Sequence, residues 1–176
     1  MPPAWRPRHV CVDYGCGTLW IGEALMTYLE PENYVGMDVT DHFYTEGLTR
    51  LAPEFVAVRR PMLRVISEQS LDEVKSRKPD FLFSTAVLMH VPPSEMEDFF
   101  AKMTYMATPK SRIFVEQGTA PWSRGISPHT WPWRHSRRAI RASLARLGYT
   151  ARFPGLRAGM LRQQQMFEIL PNQRTT

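Results

Sequence analysis

Two glycines one residue apart, Gly15 and Gly17, close an apolar run and open a helix-like stretch in "VCVDYGCGTLWIGEAL", residues 10–25. Bare backbone at such a junction reads as a strand-to-helix turn made for close approach. An apolar run of this length ended by glycine suits a parallel strand buried on both faces. After the turn, Leu19, Ile21, Leu25, Met26 and Leu29 fall near helical spacing until "EPEN" stops the pattern.

The same alternation continues along the chain. "NYVGMDV" is a second strand closing on Asp38, and residues 41–51 mix polar and apolar side chains as a helix does. "MLRVIS" predicts a third strand, followed by a polar loop over 68–70 and a short helix over 71–75. "DFLFSTAVLM" is a fourth strand, covered on both faces. "PPSEMEDFFAKMTYMA" predicts a helix in which Ser94 caps and Glu97 completes the box, with Phe99, Phe100, Met103 and Met106 as its buried stripe. "SRIFVEQG" is a fifth strand, "HSRRAIRASLARLG" a helix stopped by Gly148, and "YTARF" and "QQQMFEIL" a closing antiparallel pair. The expected fold class is α/β: a doubly wound Rossmann-like sheet, mostly parallel with an antiparallel last strand, in one domain over residues 1–176.

Composition narrows the setting. At 176 residues, 43% hydrophobic and 22% charged, the chain can bury a real core. Only Cys11 and Cys16 are available, too few for a disulfide framework or a four-cysteine zinc site, so no metal site is expected and a reducing cytoplasm is. No stretch approaches a membrane span and the amino terminus lacks a long apolar core, which disfavours membrane and secretory readings. The net charge of +5 is uneven: residues 118–166 hold nine arginines and no lysine, aspartate or glutamate, leaving −4 for the remainder.

The acids around the glycines define the chemistry of the turn. Asp13 would repel a phosphate and attract an ammonium, which points to a zwitterionic ligand. Asp38, 21 residues after Gly17, ends the next strand, where a carboxylate can accept both hydroxyls of a ribose. A dinucleotide fingerprint would need glycine at position 20, and Trp20 stands there.

Together "VCVDYGCGTLWIG", "YVGMD" and "DFLFSTAVLMHVPPSEMEDFFAKM" resemble the class I S-adenosylmethionine (SAM)-dependent methyltransferases, in order over residues 9–118. The resemblance implies that SAM is the cofactor. It implies that Gly15, Cys16 and Gly17 lie against its methionine part, that Asp13 reaches its amino group, and that Asp38, with Met37 beside it, holds the ribose. By position it further implies Glu68 and Gln69 near the adenine and Ser84 and Thr85 near the methionine moiety. One departure is visible: the family usually has a further glycine where Leu19 stands, and the next glycine is Gly22.

In such an enzyme His90, after the fourth strand, is the candidate base, since an imidazole titrates near ~6.5. Residues 118–135, "GTAPWSRGISPHTWPWRH", read as an insertion lining the acceptor pocket, with Trp122, Trp131 and Trp133 as walls and His129 or His135 as further candidate bases. Arg134, Arg137, Arg138 and Arg141 form a row suited to a carboxylate or phosphate, so an anionic small-molecule or saccharide acceptor, methylated on O or N, is the leading expectation. The alternatives are an RNA or DNA methyltransferase using the Arg- and Trp-rich half, and a non-catalytic scaffold. The lid over the acceptor is expected from residues 118–135 or from an oligomer.

Overall fold

The computed structural model describes residues 5–118, 133–153 and 164–172. Its strands are β1 (Cys11–Tyr14), β2 (Tyr34–Asp38), β3 (Met62–Val65), β4 (Phe81–Ser84), β5 (Arg112–Gly118), β6 (Tyr149–Arg152) and β7 (Gln164–Pro171), in the order β3-β2-β1-β4-β5-β7-β6. The helices are α1 (Trp20–Tyr28), α2 (Asp41–Leu48), α3 (Pro53–Arg59), α4 (Glu68–Ser76), α5 (Met96–Met106) and α6 (Arg137–Arg146). β1 runs parallel to β2 and β4, β2 parallel to β3, and β7 antiparallel to both β5 and β6. This is the doubly wound sheet with an antiparallel last strand that the alternation predicts. The chain divides into two compact units, Met1–Phe83 with Tyr105–Ser111, and Ser84–Thr104 with Arg112–Thr176. No helix among the described residues is long and apolar enough to cross a membrane.

The first unit is organised by β1 and β2, every residue of which is buried. Cys11, Val12, Val35, Met37, Phe81 and Leu82 form its centre, and Leu19, Met26 and Leu29 cover it from α1. The Asp80 carboxylate accepts the Val10 N–H at 2.9 Å, fixing the entry to β1. Three helices differ from the expectation. Helix α2 stops at Leu48, and α3 forms where no helix was expected, with Pro53 at its first turn, Glu54 near its amino end and Arg59 near its carboxyl end. The presumed loop 68–70 is the first turn of α4: the Ser67 hydroxyl accepts the Ser70 N–H at 3.2 Å, and the Ser67 N–H donates to Ser70 Oγ at 2.9 Å. Serine thus fills the role that glutamate or glutamine usually takes in such a box.

The second unit packs Phe99, Phe100 and Met103 of α5 and Ile140 and Leu144 of α6 as buried side chains. Phe100 meets Phe167 edge-on at 6.3 Å. Helix α5 begins one residue later than a Ser94 cap implies, because the first helical N–H, that of Phe99, donates to Glu95. Glu97 binds Arg146 of α6 at 2.5 Å. Ser136 caps α6 by accepting the Ala139 N–H at 3.1 Å, and Gly148 ends it with φ 82. The fourth strand is shorter than "DFLFSTAVLM": it stops at Ser84, Ala86 turns left-handed at φ 56, and a 3-10 turn spans Leu88–His90. The Glu116 carboxylate accepts the Ala86 N–H at 3.0 Å, which holds that turn.

Candidate functional site

The glycine turn is fastened to the end of β2 by backbone donors. Gly15 and Cys16 both donate to the Met37 carbonyl, at 2.7 and 3.0 Å, and Gly17 donates to Asp38 Oδ2 at 2.8 Å. Gly15 has φ 86 and Gly17 φ 49, conformations that side chains resist. A Cβ at Gly17 would meet nothing within 4 Å, so the bare backbone there faces open space. The other Asp38 oxygen, Oδ1, accepts the Val39 N–H at 2.8 Å. A carboxylate oxygen has two acceptor sites, so each of the two can take a further donor.

Leu19 explains the missing glycine. It is the residue before α1, with φ 63 and ψ 26, and so adopts the left-handed conformation for which glycine is the usual choice. That costs about 1–2 kcal/mol in a residue with a Cβ. A side chain only 1% exposed offsets the cost by leaving water. Trp20, which stands where a dinucleotide fingerprint would need glycine, is 78% exposed and lies outside the turn. The Arg50 guanidinium lies over its ring at 5.5 Å and also donates to the Thr18 carbonyl. Glycine is required at Gly47 of α2, where a Cβ would fall 2.5 Å from that same carbonyl oxygen.

Asp13 is 2% exposed, and none of the ion pairs among the described residues uses it. Its Oδ2 accepts the Tyr34 hydroxyl at 3.0 Å. Burial pushes its pKa up to about 7; the Tyr34 hydrogen bond pulls the other way, and the charge of Asp38 adds to the rise. Tyr34 was not singled out by sequence. Its signal lies in the register: Gly36 is opposite Asp13, and Tyr34, two residues earlier, is the diagonal neighbour on the same face.

The remaining residues of this corner divide by what their side chains do. Cys16 and Met37 are buried, and they contribute through their backbones. Burial raises the Cys16 thiol, and its sulfur packs where a Cβ at Gly36 would come within 3.1 Å. Glu68 and Gln69 are exposed on the first turn of α4, and Gln69 donates to Glu73 at 3.2 Å. The Ile66 N–H donates to the Asp38 carbonyl at 2.8 Å, which joins the end of β3 to the same corner.

In the second unit Ser84 is fully buried at the end of β4, Thr85 is half-buried, and His90 is exposed at the end of the 3-10 turn. His135 is 5% exposed, and its Nε2 lies 3.2 Å from the Leu88 carbonyl and 3.0 Å from that of Val91. A carbonyl oxygen can only accept, so Nε2 carries the proton, and burial holds the imidazole pKa below its ordinary value. With the Trp133 N–H on the Met89 carbonyl at 2.7 Å, residues 133–135 hold the backbone on both sides of His90. His135 is engaged in positioning a loop, a role that its residue type alone did not reveal. Trp122, His129 and Trp131 lie outside the described residues.

The arginine row is partly spent on internal contacts. Arg137 and Arg141 stack over Phe153 at 4.9 and 5.0 Å, and Arg137 donates to Gln165 at 2.6 Å. Arg146 pairs with Glu97, and Arg152 shares Glu168 with Arg112. Arg134 and Arg138 are exposed, without a hydrogen-bond or ion-pair partner among the described residues.

Comparison with solved structures places the fold. Magnesium protoporphyrin IX methyltransferase from Synechocystis PCC 6803, with S-adenosylhomocysteine bound, superposes with a TM-score of 0.66 at 16% identity, covering 94% of this chain and 75% of that one. The fold is that of the class I SAM-dependent methyltransferases. The glycopeptide N-methyltransferase MtfA matches with a TM-score of 0.68 at 10% identity, over 96% of this chain and 84% of its own. The methyltransferase domain of a bacterial Hen1 matches with 0.63 at 18%, over 92% and 89%. No family model and no curated protein matches the chain.

Proposed function

We propose that the chain is a SAM-dependent methyltransferase acting on an O or N atom of an anionic small-molecule or saccharide acceptor. The observation that carries this reading is the pair of buried acids around one open glycine turn: Asp13 has no cationic partner among the described residues, and Asp38 keeps acceptor capacity on both oxygens. A buried carboxylate without a cation is costly, and an α-ammonium group removes that cost. The bare face at Gly17 leaves room for the ligand, and the uncapped amino terminus of α1 suits its carboxylate. SAM, when bound, supplies a methyl group on a sulfonium, a carbon already activated toward a nucleophile. Asp13 then binds the amine, Asp38 the ribose hydroxyls, and Gly15 and Gly17 give passage along the backbone, with Glu68 and Gln69 toward the adenine and Ser84 and Thr85 toward the methionine part. His90 takes the proton that the acceptor loses.

The engagement of Arg137, Arg141, Arg146 and Arg152 in internal contacts argues against a continuous phosphate-binding face, so a nucleic-acid acceptor is the weaker reading. Arg134 and Arg138 remain for an acidic group. The proposed setting is the cytoplasm, with both cysteines buried as thiols. Calorimetric titration of SAM into the protein tests the proposal: saturable heat with one site per chain supports it, and no heat at millimolar ligand overturns it. Gly17→Ala gives a finer check. Its Cβ has no protein neighbour, so the fold loses only about 1 kcal/mol to the positive φ. The methyl enters the open side of the turn, so SAM affinity is expected to fall several-fold in the same titration.

A further inference from the structure

Tyr34 has no part in the site as proposed, yet its hydroxyl ends on one of the two acids. Three observations converge on it. The phenol is 2% exposed and its hydroxyl donates to Asp13 Oδ2 at 3.0 Å. Its place on β2 is fixed by pairing with Cys11, which sets the ring beneath Asp13 on the same face. The neighbouring helix makes room for it: a Cβ at Gly22 of α1 would lie 2.4 Å from the Tyr34 oxygen and 2.8 Å from the ring carbon that carries it. Glycine is a poor helix former, and its presence in the first turn of α1 has a packing reason in the hydroxyl it leaves room for.

We propose that Tyr34 is a positioning residue for ligand binding at Asp13, its hydroxyl holding one carboxylate oxygen so that the other is presented to an ammonium group. This rests on the reading of the turn as a SAM site. A hydroxyl can donate to an ionised carboxylate without competing for the second oxygen. The charged and titratable groups around Asp13 are Tyr34 and Asp38 on β2 and Cys11 and Cys16 on its own strand and turn. Burial raises both thiols and the phenol, so all three stay neutral, and Asp38 is the neighbouring acid that pushes Asp13 up. The Tyr34 hydroxyl is thus the group that favours the ionised form. Its removal raises the proton affinity of Asp13 and leaves less of the form that a cation can bind.

The test is the SAM dissociation constant of Tyr34→Phe relative to wild type as a function of pH, a ratio in which titration of the ligand itself cancels. Loss of a hydrogen bond to a charged group raises the Asp13 midpoint by about one pH unit, so the ratio is expected near ten at about pH 6, about five at pH 7 and close to one at about pH 9. Equal affinities at every pH, or a loss independent of pH, would show Tyr34 to be a core filler and overturn the proposal. Gly22→Ala, which displaces the hydroxyl without removing it, is expected to give the same convergence at high pH, and serves if Tyr34→Phe does not fold. If wild type fails to bind SAM, the cofactor reading falls. The Asp13 midpoint followed by carboxyl-carbon NMR then decides the inference alone: a rise in Tyr34→Phe retains the positioning role, and an unchanged midpoint removes it.

Discussion

Asp13→Asn is expected to weaken SAM binding about a hundred-fold while leaving the fold intact. Truncating one partner of a buried charge pair costs about 2–5 kcal/mol, and each 1.4 kcal/mol is a factor of ten. The amide is isosteric, and its oxygen can still accept the Tyr34 hydroxyl. The stability effect runs in the opposite direction. The Asp13 pKa rises on folding from 3.8 to about 7, so the stability it contributes is fully present below 3.8 and is lost as pH rises through 7. Asparagine has no such loss. The melting temperature of the variant should therefore gain on wild type between pH about 4 and 7 and hold that gain above, by an amount worth up to a few kcal/mol. An affinity that falls while stability rises separates a ligand-binding acid from a structural one.

Asp38→Ala is expected to lose both. The carboxylate accepts the Gly17 and Val39 N–H groups in a site only 7% exposed, and removing it leaves those donors without their partner. Each hydrogen bond to a charged group so lost costs about 1.5–3 kcal/mol, so a drop of several degrees in melting temperature should accompany a roughly hundred-fold loss of SAM affinity. 5′-Methylthioadenosine, which carries the nucleoside without the amino-acid part, separates the two acids. Asp38→Ala should lose affinity for it, and Asp13→Asn should bind it as wild type does. Equal losses in both variants would deny the division of labour between amine and ribose.

Much of this corner was legible in the sequence because its requirements are local. A turn with backbone at φ 86 and φ 49 calls for glycine, and acids at the ends of two successive strands reach the same turn in a parallel sheet. What escaped depended on contacts remote along the chain. Tyr34 meets Asp13 only through the register of β1 on β2. The arginine-rich half reads as a free basic face until Glu97, 49 residues from Arg146, and Glu168, 16 from Arg152, are brought against it. Leu19 in a glycine's conformation was hidden because its burial, a tertiary effect, offsets the backbone cost. His135 looked like a base because histidine near a presumed acceptor pocket suits one, and its two carbonyl partners come from residues 44 and 47 positions away.

The central claim is that one nucleoside sulfonium is gripped by two acids at a single glycine turn. A crystal structure with S-adenosylhomocysteine tests it most directly. The ribose hydroxyls should lie within hydrogen-bond distance, about 3 Å, of the Asp38 oxygens, and the amine at the same distance from Asp13. A ligand bound with neither acid in reach, or with its amine turned away from Asp13, would contradict the account.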